Sequence, residues 1–428
     1  MNIKNRNCAF TIVAKNYIGL AMILERSIRR YNSSTDFFIV VADEFDQNRP
    51  ESLPSNVIVA KDVLDINHDL WNEMAFKYNL TEFCTSIKPK SLSYFIKKGY
   101  DKVMYLDPDT FFFSDIDQIF SMLDSHLIVL SPHLIHLPPK ESSDIFESSF
   151  LNYGVYNLGF VAVKNDRTIS RILDWWHERL AKYCFIDSQN GLFTDQLWMN
   201  FVPGFMSKEQ CLISRHQGLD VAPWNYQERR IIDKSGSLYV VNRNQIEDSG
   251  DSDPEPLVFC HFSGYDYKSL TSGMIRQKTQ PNLENYDDIR LVMNHYRNEF
   301  VKNQELFSTY LPLEYTYAKF DDSTPISNLA RRIFRTCVDD GDRIENPFFS
   351  SGTYYKKLRK NGLLQKPESG KTADQLTKND LGNARRLESM IACSFRILRK
   401  LVGIKRYVLF LRYLQTFSRY ESQKFLIK

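Results

Sequence analysis

The sequence lacks most of the features that announce a chemistry outright. Its seven cysteines stand at 8, 84, 184, 211, 260, 337 and 393, an odd number, widely scattered, with no Cys-x-x-Cys pair and no zinc-ligand spacing. A disulfide framework and a zinc module are therefore excluded, and the thiols are expected to be reduced and mostly buried. No stretch approaches the ~18 consecutive apolar residues of a membrane span. The opening MNIKNRNCAFTIVAKN carries some positive charge but only a short apolar run, which suits a first strand and not a signal peptide. A cytoplasmic protein, at most peripheral on the inner face of a membrane, is the expectation. There is no internal repeat and no low-complexity block.

An excess of one charge is also missing, because the formal net charge is only +3. The balance is nevertheless uneven. Residues 371–428 hold 13 Lys and Arg against 4 Asp and Glu, whereas the rest of the chain holds 42 against 48. A slightly acidic main body argues against nucleic acid as a partner. The tail SFRILRKLVGIKRYVLFLRYLQTFSRY mixes basic and apolar side chains at helical spacing. That pattern suits an anionic membrane surface, or else an ordinary basic helix packed on the main domain or on a partner subunit.

What is present is apolar bulk: 43% hydrophobic and 14% aromatic residues in a chain of 428 supply a sizeable core, so one large domain with an appendage is expected. CAFTIVA (8–14), FFIVVAD (37–43), NVIVA (56–60), KVMYLD (102–107) and HLIVLS (126–131) are short β-rich runs bounded by polar residues. Helical patterns lie between them: IGLAMILERSIRRYN, DLWNEMAFKYNL and CTSIKPKSLSYFIKKG. Alternation of this kind implies an α/β sheet with parallel strands, which takes ligands at the strands' carboxyl ends. VYNLGFVAV and EPLVFCHFSG are two later strands, and TISRILDWWHERLAKYC is a further helix. The expected divisions are a domain over 1–270, a helical extension over 271–365, a linker over 366–383 and a basic amphipathic helical tail over 384–428.

Asp-x-Asp is a weak motif by itself, and this chain has it four times. Asp251 and Asp253 fall in a polar loop, Asp340 and Asp342 flank a glycine turn, and Asp115 and Asp117 follow Ser114 as a helix cap and first turn would. Asp107 and Asp109 differ because they close an apolar run that should be a central strand. Two carboxylates held there without a cation would repel and raise one pKa; a divalent ion removes that cost, and hard oxygen ligands suit Mg²⁺ or Mn²⁺. The alternative is a Pro-Asp turn with both acids in water. His261, ending another β-rich run, is placed to add a nitrogen ligand or to be a satisfied core histidine. Gly159 interrupts a strand, which often marks the close approach of a ligand or of backbone. Asp195 and Gln196 are either sugar-hydroxyl ligands or the first turn of a helix capped by Thr194.

Taken in order, TIVAKNYIGLAMILERSI, VVAD, KVMYLDPDT, YNLGFVAV, TDQLWMN, WNYQ and HFSG resemble nucleotide-sugar glycosyltransferases of the GT-A fold, most closely the glycosyltransferase family 8 type, over about residues 8–268. The resemblance implies a Rossmann-like mixed central sheet flanked by helices, with a mostly helical C-terminal extension. It implies that Ala14 and Tyr17 border the nucleotide base, and that Lys88 or Lys90 is the basic residue near the donor. Asp107 and Asp109 would bind the metal that bridges the diphosphate, with His261 as third ligand. Asn157, Asp195 and Gln196 would face the donor sugar and the reacting carbon, with Gly159 beside them and Gly264 next to the phosphates. One departure stands out. HFSGYDYKSL offers Lys268 one place later than the family's lysine and has no Pro-Trp after it.

The implied activity is Mn²⁺- or Mg²⁺-dependent transfer of a hexosyl group from a nucleoside diphosphate sugar, a UDP-sugar by resemblance. The acceptor would be a hydroxyl of a glycan, lipid-linked or protein substrate, with retention of configuration, in bacterial surface-glycan synthesis or protein glycosylation. Two other readings remain. A sugar nucleotidyltransferase should carry a glycine-rich, basic phosphate loop after its first strand, where VAKNYIGLAM has none. A catalytically silent scaffold that binds membrane or glycan would use the same fold without the metal.

Overall fold

In the computed structural model, residues 6–45, 53–137, 147–244, 253–278, 286–365, 373–376, 380 and 384–428 are described. Most of the expected linker 366–383, and Asp251 in its polar loop, lie outside the described residues. Nine strands position the site: β1 (Asn7–Val13), β2 (Asp36–Val41), β3 (Val57–Val59), β4 (Lys102–Leu106), β5 (Thr110–Phe112), β6 (Ile128–Pro132), β7 (Tyr156–Lys164), β8 (Cys211–Ile213) and β9 (Phe259–His261). Seven of them form one sheet in the order β8-β6-β7-β4-β1-β2-β3, and β5 pairs with β9.

The sheet is mixed, as the resemblance implies. β4, β1, β2 and β3 run parallel to one another, but β7 is antiparallel to both β4 and β6. Strand alternation alone suggested parallel strands throughout and could not show this reversal. β4 is buried at all five positions and β7 is buried from Asn157 to Val163, so both read as unbroken apolar runs, as strands covered on both faces do. Helices flank the sheet. Ile18–Arg29 turns Ile18, Ala21, Leu24 and Ile28 into the same core as β1, β2 and β4, following the three-and-four spacing of a helix face.

Three local expectations are corrected. CTSIKPKSLSYFIKKG is two helices, Leu80–Ser86 and Lys88–Lys97, because Pro89 has no N–H to donate and is accommodated only in the first turn of a new helix. EPLVFCHFSG is likewise divided. Glu255–Pro256 joins a small antiparallel sheet with Ser237–Asn242, and the chain then crosses to β9. At the helix Asp117–Ser125 the capping acceptor is Asp115, whose Oδ1 takes the N–H of Asp117 and an Asn32 amide hydrogen; Ser114 instead accepts from Gln118.

The described chain divides into two compact units, 1–66 with 81–315, and 67–80 with 316–428. The second packs Phe76 among Phe320, Phe334, Tyr354, Leu358 and Ile427. Its organising group is Arg331, buried, with a guanidinium that donates to the carbonyls of Ala75, Phe76, Tyr78 and Tyr317. The guanidinium thereby supplies donors to these carbonyls where the side chain is withdrawn from water. Arg331→Met should therefore destabilise this unit by about 3 kcal/mol or more, since four hydrogen bonds to a charged group are lost at once. Urea denaturation is the measurement, and a change below about 1 kcal/mol would contradict this account of the unit.

Candidate active site

The strand directions bring the expected residues to one end of the sheet. The carboxyl ends of the parallel strands β1 and β4 lie beside the amino end of the antiparallel strand β7. Leu106, the last residue of β4, pairs with Phe160, and the next residue, Asp107, donates its N–H to the Gly159 carbonyl at 2.7 Å. Two residues further on, β5 runs antiparallel to β9 with Thr110 opposite His261, and the Phe262 N–H donates to the Asp109 carbonyl at 2.8 Å. Backbone ladders therefore fix the imidazole against both carboxylates before any side-chain interaction is counted.

The three side chains converge. Ligand atoms of Asp107, Asp109 and His261 all lie within 4.8 Å of one another. His261 Nε2 is 3.1 Å from Asp109 Oδ1 and 3.7 Å from Asp107 Oδ2, and Tyr105 Oη donates to Asp107 Oδ1 at 2.5 Å. Withdrawal from bulk water pushes the Asp107 carboxyl above its ordinary range, Asp109 adds to the rise, and Lys88 and His261 oppose it. Burial alone would depress the His261 imidazole, but the carboxylates of Asp109, Asp220 and Asp107 outweigh it and hold the group well above its usual value. The cluster thus stands in a field that calls for positive charge. Two hard oxygens and one imidazole nitrogen suit Mg²⁺ or Mn²⁺ and leave coordination positions open.

Gly159 is a steric requirement of the cluster. A Cβ placed there would lie 2.3 Å from His261 Cε1 and 2.8 Å from both Asp107 Oδ2 and Asn157 Oδ1. Its own N–H is taken by Asn157 Oδ1 at 3.0 Å.

A cavity of about 620 Å³ opens beside the cluster. Its walls include Lys88, Asp107, Asn157, Gly159, Asp195, Gln196 and His261. Lys88 is fully buried, with its Nζ donating to Asp195 Oδ2 at 2.5 Å and to the Leu158 carbonyl at 2.7 Å and lying 4.0 Å from the centre of the Tyr105 ring. Lys90 is not among the wall residues. The Gln196 amide is used at both ends, accepting from the Leu158 N–H and donating to the Tyr153 carbonyl. Thr194 does not cap a helix. It has a φ of 44°, a conformation that is costly for a β-branched residue, and Asp195 follows it directly. Ala14 and Tyr17 follow β1 outside the cavity wall, and the Tyr17 ring lies 4.7 Å from that of Tyr267. Gly264 lies just past His261 in the left-handed region, with φ 78°, its carbonyl accepting the Lys278 N–H.

Sequence reasoning missed Asp220. It is completely buried, has a φ of 60°, and its Oδ1 is 3.5 Å from His261 Nδ1. Neither of its carboxylate oxygens has a hydrogen-bond partner at ordinary distance in the structure. Trp224 packs edge-on to the same imidazole at 5.2 Å. Asp220 reaches His261 because Val221 bridges to Cys260, and the loop before it is pinned by buried Arg229, which donates to the carbonyls of Gln217 and Leu219. His133, stacked on Phe150 at 4.8 Å, also lines the cavity, and burial pushes its imidazole down to about 4, so it is neutral near pH 7.

A pair of carboxylates and an imidazole, seated at the carboxyl ends of a mixed α/β sheet beside a cavity of this size, is a donor set able to hold a divalent cation next to a ligand-sized space. Residues 34–229 match the family model described as nucleotide-diphospho-sugar transferase. YfnF of Bacillus subtilis (strain 168), itself described as uncharacterized, is 26% identical over 264 residues, which is 61% of this chain and 82% of that protein. YfnD of the same organism is 22% identical over 259 residues, 60% of this chain and 76% of that one. Among solved structures, the galactosyltransferase LgtC in complex with donor and acceptor sugar analogues has a TM-score of 0.39 at 13% identity, covering 72% of this chain and 97% of that one. The glycosyltransferase GlyE of Streptococcus pneumoniae TIGR4 has a TM-score of 0.38 at 16% identity, covering 74% and 67%.

Gly159→Ala is expected to keep the secondary structure, read by circular dichroism, while forcing the His261 ring and the Asp107 carboxylate apart. A crystal structure of the variant with both side chains unmoved would contradict the packing just described.

Proposed function

We propose that the protein is a metal-dependent glycosyltransferase that moves a hexosyl group from a UDP-sugar to an acceptor hydroxyl on a glycan, a lipid-linked sugar or a protein. The observation that carries this reading is the convergence of Asp107, Asp109 and His261 beside a cavity whose wall includes Asp107 and His261. The match of residues 34–229 to the nucleotide-diphospho-sugar transferase family supports it. The chemical difficulty in such a transfer is the departure of a diphosphate while the anomeric carbon becomes cationic. A bound Mn²⁺ or Mg²⁺ supplies charge stabilisation for that leaving group.

The chain's own residues do the rest. Asp107 and Asp109 hold the cation with His261, and Tyr105 fixes the orientation of Asp107 through Oδ1. Asn157 lines the sugar end of the cavity, with its Oδ1 tied to the Gly159 N–H so that its amide keeps one orientation. Gln196 braces the wall between Leu158 and Tyr153. Ala14 and Tyr17 border the base, and Gly264 lets the backbone approach the phosphates without a Cβ.

The acids also favour retention of configuration. Inversion needs a carboxylate free to take the acceptor proton. Among the described residues the carboxylates lining the cavity are Asp107, committed to the metal cluster, and Asp195, committed to Lys88 and Thr194. An oxygen of the departing phosphate then takes the acceptor proton on the same face. Asp195, held 2.5 Å from Lys88, stabilises the positive charge that develops at the anomeric carbon.

Hydrolysis of a panel of UDP- and GDP-sugars with manganese tests the reading. The wild type should release UDP in a metal-dependent way, and Asp107→Ala with Asp109→Ala should reduce release by about 100-fold or more. Metal-independent release, or release unchanged in the double variant, would sink the proposal. Asp220 enters through a separate measurement. Asp220→Asn removes the buried negative charge that lies 3.5 Å from His261 Nδ1, so Mn²⁺ affinity, read by electron paramagnetic resonance without any donor, should fall roughly 10- to 100-fold. Equal affinity of variant and wild type would remove Asp220 from the account.

A further inference from the structure

The segment Ala384–Phe417 is helical on either side of Gly403, where φ 76° and ψ 166° break it into two arms, 384–402 and 404–417. Phe395 of the first arm meets the rings of Tyr407 and Phe410 of the second, each at 6.4 Å. The chain then returns to the helical unit. Ile427 is buried, Glu421 pairs with Arg332 and Arg335, and Lys424 pairs with Asp340 and Asp342. The arms are thereby tethered at their carboxyl end, yet their apolar side chains stay open: Leu401 is 79% exposed, Ile404 61% and Met390 58%.

On the first arm the side chains are sorted by face. At ~100° per residue, Leu387, Met390, Ile391, Leu398, Leu401 and Val402 share one side of the first arm, and Arg386, Arg396, Arg399 and Lys400 share the other. On the second arm Lys405, Arg406 and Arg412 fall within one half of the circumference, which they share with exposed Leu409 and Tyr413. Residues 385–412 contain eight Lys and Arg and a single acid, Glu388. Among the described residues no helix is long and apolar enough to cross a membrane.

We propose that these two arms are a surface anchor that lies in the headgroup layer of a bilayer rich in anionic lipid. Charge decides between the occupants of this apolar face. A second copy of the chain would set eight basic groups against eight more, whereas an anionic bilayer neutralises them and takes up the apolar face at the same time. A neutral apolar partner would leave the basic flank without a function. Lying on the bilayer would bring the enzyme to acceptors carried on lipid, but the anchor itself stands without that reading.

Cosedimentation of the full-length protein with phosphatidylglycerol–phosphatidylcholine vesicles tests it, with no sugar nucleotide present. Binding is expected to these vesicles, at least about tenfold weaker binding to pure phosphatidylcholine, and weakening as salt is raised to about 1 M. Arg396→Glu with Arg399→Glu and Lys400→Glu should lower binding to anionic vesicles by more than tenfold, at roughly fivefold per basic residue near the surface. Ile391→Asp with Leu401→Asp should also lower it by removing insertion. Both sets lie on exposed helix faces, and circular dichroism verifies that they fold. Equal binding to neutral and anionic vesicles, unchanged binding in both variants, or a stable wild-type dimer that ignores vesicles would each overturn the proposal. Because no donor is present, a failure here is distinct from a failure of the glycosyltransferase reading.

Discussion

Two carboxylates on one tight turn, Asp107 and Asp109, are the constraint around which the unit that holds the candidate site is arranged. Their mutual repulsion, at the end of a strand buried at every position, makes the turn costly unless positive charge is supplied from outside the chain. Lys88 answers part of that need but is itself committed to Asp195 and the Leu158 carbonyl. His261 answers another part, and its two ring nitrogens face acids on opposite sides, Asp109 and Asp220. The arrangement has more negative than positive charge around one point, a field that a bound cation would relieve.

Rigidity comes from the backbone. The antiparallel pairing of β4 with β7 sets Gly159 against Asp107, and the pairing of β5 with β9 sets His261 against Asp109. Left-handed backbone occurs at Thr194, a wall residue of the cavity, and at Asp220, buried behind His261, two of the non-glycine residues that adopt it among the described residues. Strain of that kind costs of order 1–3 kcal/mol per residue and persists where surrounding structure holds it in place. Here buried Trp176 donates to the Asp195 carbonyl beside Thr194, and buried Arg229 holds the loop before Asp220.

Much of this was legible in the sequence, for physical reasons that can be named. KVMYLDPDT announces itself because an apolar run that needs burial on both faces ends in acids, and VFCHFSG because its histidine closes a second such run. β1, β2, β3, β4, β6, β7 and the helix Ile18–Arg29 follow from hydrophobic spacing, whereas β5 and β8, three residues each, carry no such pattern. Pro89 held the information that splits one expected helix into two, since a proline is tolerated only in a first turn. Other features could not be read. Asp220 contacts His261 through a bridge between residues 221 and 260, a long-range pairing that leaves no periodic trace. The strain at Thr194 and the double engagement of Gln196 depend on neighbours that only the folded chain supplies.

The most direct measurement is anomalous diffraction at the manganese edge from crystals grown with Mn²⁺ and UDP. The account predicts one strong peak within bonding distance of Asp107, Asp109 and His261 Nε2, with diphosphate oxygens completing its coordination. UDP bound elsewhere, or bound here with no metal between it and the two aspartates, would contradict it.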